Sequence, residues 1–253
     1  SYTLTMSTLT PKQREIRERE GHLLEIARAL VLEKGYHGLT MARVAARLDV
    51  AKATVYQHFS CKEEIIIALA GRSVDLQRGL VDRAAMFKGT PRERMYAIGE
   101  ATELFALLYP GDARIFQLIS AEAITQKASQ ASLWRLRLSA RQTANVMSGI
   151  VRDAIARGDL HLKPGDTVED LTYQFWLMGE STKAAVWSWM PPQELGVRDP
   201  FEAMFHNGQV IGDAYGWRPL SQDWDYRGTR RRVRQEIFPN ECYKAYGDNY
   251  LEI

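Results

Sequence analysis

Cysteine is scarce in this chain: 253 residues hold only Cys61 and Cys242. Two thiols cannot build a disulfide framework, so a reduced, cytoplasmic setting is expected. Histidine is scarce as well, and His22, His37, His58, His161 and His206 are scattered. His58 and Cys61 lie three apart, but no second ligand pair accompanies them, and no metal site is expected. No stretch approaches the roughly 20 consecutive apolar residues of a membrane span, so no membrane partner is expected. The opening residues 1–6 lack a basic region followed by an apolar run, so no secretory signal is expected. Glycine-rich phosphate loops, a GxSxG elbow and an HExxH pair are all missing. Nothing therefore supports an enzyme, and no cofactor is expected. Sustained alternation of period two, the mark of strands, is absent too.

Charge is nearly balanced, with 33 Lys and Arg against 31 Asp and Glu, but it is unevenly spread. Residues 1–62 carry 10 basic and 6 acidic side chains, leaving 23 and 25 for the remainder. A basic end on a neutral chain fits a local contact with a polyanion.

What is present is helix after helix. Leu23, Leu24, Ala27, Leu30 and Val31 mark one face of a first helix, and Gly35 is placed to end it. Thr40 is a good N-cap for a short second helix, with Leu39 and Val44 as a hydrophobic staple across it. A break near Asp49 precedes another short helix over Lys52 to Phe59. Ser60 and Glu63 have the spacing of a capping box for a long helix toward Ala85. Further helices are expected near 92–108, 112–127, 130–157, 167–189 and 200–216. The class is all-α.

Leu39 to Phe59 places two short helices around a turn of three or four residues, the arrangement of a helix-turn-helix. On its second helix Ala51, Val55 and Phe59 repeat at i, i+4, i+8 and are expected inside. Lys52, Ala53, Tyr56 and Gln57 then face outward. The alternative is an ordinary helical hairpin within a core.

The stretch from Leu23 to Ile66 resembles the DNA-binding domain of the tetracycline-repressor (TetR) family. Glu33-Lys34-Gly35-Tyr36, Leu39-Thr40, Val44-Ala45, the run from Val50 to Tyr56, Phe59 and Lys62-Glu63 carry the likeness. Asp49 and Ala51 depart from it, standing where the family has glycine and a serine cap. The resemblance implies a homodimer that binds double-stranded operator DNA and is released by a small apolar or aromatic effector, most often as a repressor. It implies DNA contacts at Thr40, Lys52, Ala53, Thr54, Tyr56, Gln57, His58 and Lys62. Thr40, Tyr56 and Lys62 would meet phosphates, and Lys52 a guanine edge or a phosphate.

The domains expected are 11–62 for DNA binding, 63–217 for ligand binding and dimerisation, and 218–253 as an extension of unknown role. Aromatic residues concentrate on the later helices, and Trp134, Arg141, Tyr173, Trp176 and Glu180 are the candidate ligand-binding set. Core and dimer packing is the alternative for each. Gly208 and Gly212, four apart, suit either a dimer face or packing within the chain. The basic run Arg227 to Arg234 reads as a solvated helix face. Two rival functions remain: a DNA-binding regulator without an effector, and an all-α enzyme or scaffold.

Overall fold

The computed structural model describes residues 10–119 and 122–251, so residues 1–6 lie outside it. The described residues form α-helices and short 3-10 turns, as expected of an all-α chain, and no strand occurs among them. Two compact units are formed, Ser1–Arg72 with Ile115–Leu136, and Ser73–Arg114 with Arg137–Ile253. Residues 115–136 thus join the first unit, whereas the domain limits expected from the sequence group them with the C-terminal domain.

In the first unit α1 (Pro11–Gly38) starts at a capping box made by Thr10 and Gln13. Gly35, at φ 68°, kinks it, so the expected stop becomes a bend followed by one more short turn. Then come α2 (Met41–Leu48) and α3 (Lys52–His58), and α4 (Lys62–Ala85) crosses the unit boundary. Leu23, Ala27, Leu30, Leu39, Val44 and Val55 are buried and make the core. Ser60 does not form the expected box with Glu63. Helix α4 begins at Lys62, and the Glu63 carboxylate accepts from the Tyr36 hydroxyl at 2.6 Å instead.

Residues 115–136 bring α7 (Glu122–Thr125) and the start of α8 (Gln130–Arg157). They fasten the first turn of α4. Glu64 accepts from the Ser129 backbone N–H and from the Ser132 hydroxyl, and Lys127 pairs with Glu63 at 3.5 Å.

The second unit is built around α5 (Pro91–Leu108), capped by a Thr90–Glu93 box. Residues on all its sides are buried, including Arg92, Glu100 and Glu103, as expected of a helix wrapped by others. Helices α9 (Val168–Val186), α10 (Pro200–Ala214), α11 (Tyr226–Glu236) and α12 (Pro239–Tyr246) each pack on it. The expected helix 112–127 is replaced by α6 (Pro110–Leu118) and the short α7. The last two helices are short and amphipathic, and they lie beyond the last helix expected from apolar periodicity. Their inward positions are few, and some of them are arginines.

Candidate nucleic-acid interface and ligand cavity

Asp49 closes α2 in the left-handed conformation, φ 55° and ψ 45°, and does what glycine usually does in such a turn. Its N–H and that of Val50 reach back to α2 carbonyls, which sets the angle at which α3 leaves. Ala51 caps α3 without a side-chain hydrogen bond, a loss of about 1 kcal/mol relative to serine. It is exposed rather than inward, because a cap precedes the first helical turn. Val55 and Phe59 are buried as expected.

The outward ridge is as the spacing predicts. Lys52, Ala53, Tyr56 and Gln57 are exposed, while Thr54 and His58 are half-buried. The Lys52 ammonium lies 5.6 Å from the Tyr56 ring centre, so cation and phenol share one edge of the helix. At the start of α2 the Thr40 oxygen accepts from the Arg43 N–H at 3.2 Å, which leaves its hydroxyl proton to donate.

Lys62 has a second occupation. Its ammonium sits 3.8 Å over the Tyr36 ring and donates to the Tyr36 carbonyl at 3.3 Å. Burial and the Glu63 carboxylate push the Tyr36 phenol up to about 12. Burial would raise Glu63, yet the hydrogen bonds it accepts, led by that from Tyr36, hold it below the usual carboxylate range. Tyr36, Lys62 and Glu63 thus form one clamp on the bend that follows Gly35.

In the second unit a cavity of about 40 Å³ lies between α4, α5, α8 and α9. Trp176 and Glu180 line it, with Gln77, Thr143, Met147 and Met178. Tyr173 does not. It is 55% exposed and leans on Trp176 at a tilt, with ring centres 5.9 Å apart. Trp134 (60% exposed) and Arg141 are also outside the wall; they lie seven apart on one face of α8, and that face is outward. Leu136, Thr143, Met147 and Ile150 form the inward face.

Lys183 is absent from the set expected from sequence, though its i, i+3 pairing with Glu180 was a signal. It is buried, donating to Gln77 Oε1 at 2.7 Å and to Glu180 Oε1 at 2.8 Å. Burial lowers its pKa, and Glu180 opposes the shift.

Packing decides two further features. The basic run is a solvated face only in part: Arg227, Arg231 and Arg232 are exposed, whereas Arg230 and Arg234 are buried on α5 against Glu100 and Glu103. Gly208 and Gly212 pack inward. A Cβ at Gly212 would lie 2.8 Å from the Arg92 guanidinium, and one at Gly208 3.4 Å from Met178 Cε. The exposed face of α10 holds Ala203, Val210 and Ala214 instead, and that of α9 holds Tyr173, Leu177 and Ala184.

Among the described residues no group of His, Cys, Asp or Glu could hold a metal ion, and no helix is long and apolar enough to cross a membrane.

Residues 23–69 match the family model of bacterial regulatory proteins, tetR family. The chain is 35% identical over 79 residues to the transcriptional repressor KstR of Mycolicibacterium smegmatis, covering 31% of this chain and 39% of that one. It is 38% identical over 84 residues to the transcriptional activator FasR of the same organism, covering 33% and 38%. It therefore spans about two fifths of the length of these relatives. A bacterial regulatory protein of the tetR family from Rhodococcus RHA1 shares the fold, with a TM-score of 0.60 at 18% identity over 78% of this chain and 96% of that one.

Proposed function

We propose that the chain is a member of the tetR family of bacterial regulatory proteins, a ligand-responsive transcriptional repressor acting as a homodimer on an operator in the cytoplasm. The observation that carries this reading is the exposed ridge of α3, Lys52, Ala53, Tyr56 and Gln57, presented by the left-handed turn at Asp49. A ridge with small Ala53 beside a cation and an amide can enter a major groove and meet base edges. Thr40 and Lys62 supply phosphate contacts on either side, and Thr54 and His58 fill the flanks. The effector is an apolar molecule taken up beside Trp176 and Glu180, in the second unit. Binding there biases α4, whose first turn carries Lys62. A ligand releases DNA only to the extent that it prefers the released conformation.

One observation favours a second reading, a regulator with no effector: the cavity as it stands has room for only a few waters. The test is a gel shift with the full chain on the promoter beside its own gene, repeated in a reporter strain. Repression predicts higher expression when the gene is deleted; lower expression would make it an activator. Failure to bind any duplex above non-specific affinity would sink the DNA-binding reading.

A further inference from the structure

A second cavity, also of about 40 Å³, lies beside the first. It is lined by Tyr96, Phe205, Gly208, Trp217 and Trp224, and by the Arg92 edge. Met95, Gly99, Phe175, Met178 and Met204 line both cavities, so they form the divide. Each cavity alone holds roughly three waters, whereas sites for small molecules run to about 300–1,000 Å³. Neither is a binding site by itself.

The divide is made of side chains suited to moving. Three of its members are methionines, whose three rotatable bonds let them repack at little cost. Gly208 faces it without a side chain, and Met178 Cε occupies the space that a Cβ there would meet at 3.4 Å. Turning Met178 aside would join the two spaces into one channel from Trp217 to Trp176; at about 40 Å³ each they still fall short of that range, so Met95 and Met204 must repack with Met178 to widen the channel around a ligand.

An independent observation marks the Trp217 end. Its indole is fully buried, and Nε1 has no acceptor among the described residues. A buried donor without an acceptor is unfavourable and uncommon, and a ligand oxygen would relieve it. That oxygen need carry no charge. The Arg92 guanidinium is already matched by Asp213 at 2.7 Å and donates to the Gln209 and Pro219 carbonyls. At the other end Lys183 is matched by Glu180. An ionised ligand would meet no uncompensated cation at either end, while its own desolvation would oppose entry.

We propose that the two cavities are halves of one elongated site that opens when Met178 turns aside, and that its ligand is a long, uncharged apolar molecule whose carbonyl or hydroxyl oxygen accepts from Trp217 Nε1. The inference rests on the effector reading above and specifies the ligand's length, charge and anchoring group.

The test titrates straight-chain 2-alkanones of 7 to 15 carbons into the full chain, with carboxylates of equal length as the charged comparison. Affinity should rise by about fourfold per added CH₂ well past the shortest members. Ketones should bind at least tenfold better than the matching carboxylates. Gly208→Val, which sets a branched side chain against Met178 and Phe175, should hold long ketones to the affinity of short ones. Trp217→Phe should lower ketone affinity about tenfold and remove the preference over carboxylate. Operator binding by each variant reports that it is folded. A length series unaffected by Gly208→Val overturns the joined channel while leaving an effector site intact, and stronger binding of carboxylates overturns the uncharged ligand. If ketones bind as described but leave operator affinity unchanged, the site stands and the effector reading falls. If no ketone binds a protein that still holds operator, both fall.

Discussion

Arg234 of α11 and Glu100 of α5 meet with Nε 2.6 Å from Oε1, at 1% and 0% exposure. Arg230 joins them, donating to the other oxygen of Glu100 at 2.9 Å and to Glu103 at 2.6 Å. Two cations and two carboxylates from segments far apart in the chain are buried together. Removing one member leaves an uncompensated buried charge. Glu100→Gln should therefore destabilise the chain by about 3–5 kcal/mol in urea unfolding. Arg83 and Glu241 join α4 to α12 with Arg83 about half exposed, and Arg83→Ala should lose less than about 1 kcal/mol of ion-pair energy. Equal losses from the two variants would show that the buried cluster has no special weight.

Glu103 gives the same cluster a pH dependence. Burial and the adjacent Glu100 carboxylate push its carboxyl up to about 7, against the pull of Arg230 and Arg234. Glu202 reaches the cluster through Arg230, and the Tyr246 ring lies against Arg234. A carboxyl with a raised pKa takes up a proton on folding. Its contribution is complete below its ordinary value of 4.5 and is lost as pH rises through 7. Wild type should lose melting temperature relative to Glu103→Gln between pH 5 and pH 8, since glutamine cannot ionise. A constant difference across that range would contradict the raised value.

Lys52 and Lys62 should separate by what else they do. Lys52 lies beside the Tyr56 ring on its own helix, so Lys52→Ala should change operator affinity and leave unfolding nearly unchanged. Lys62 stacks on Tyr36 and donates to its carbonyl, so Lys62→Ala should weaken all DNA binding and lower stability together. Lys62→Ala removes one phosphate-binding cation from each half-site, two per dimer, and should flatten the salt dependence by about 1.8 in the log–log slope. A Lys62→Ala protein with unchanged slope would restrict Lys62 to the Tyr36 clamp.

The head was legible because its signals are local. Thr40, Gly35 and Asp49 each act within four residues of themselves, and the i, i+4 spacing of Val55 and Phe59 orients α3 without reference to anything distant. The cavity wall was legible only in part. Trp134, Arg141, Trp176 and Glu180 all lie on long amphipathic helices, and a face seven residues long reads equally well inward or outward until the neighbouring helices are placed. Arg230 and Arg234 mislead for the same reason. Eight residues with five arginines look solvated by composition, and the carboxylates that bury two of them stand on α5, far upstream. Gly212 is small because Arg92 occupies the space beside it, which no spacing rule within α10 contains.

The last prediction concerns assembly. With Gly208 and Gly212 turned inward, association must use another surface, and α9 and α10 offer one. Tyr173, Leu177 and Ala184 recur at i, i+4, i+11, and Ala203, Val210 and Ala214 at i, i+7, i+11; all six are exposed. Small and apolar side chains on two packed helices suit a face that meets its own copy about a two-fold axis. Sedimentation at micromolar concentration should give about twice 28.8 kDa. Leu177→Arg would put a cation, and across the axis a second one, in the middle of that face. Burying them unpaired should cost several kcal/mol and release monomers. The monomer keeps its α3 ridge but engages one half-site, so operator affinity should fall far more than non-specific affinity. Gly208→Ala, which meets only Met178 and Phe175, should leave the mass at the dimer value. A Leu177→Arg protein that still sediments as a dimer would move the interface elsewhere, and a wild-type monomer holding a palindromic operator at full affinity would remove it.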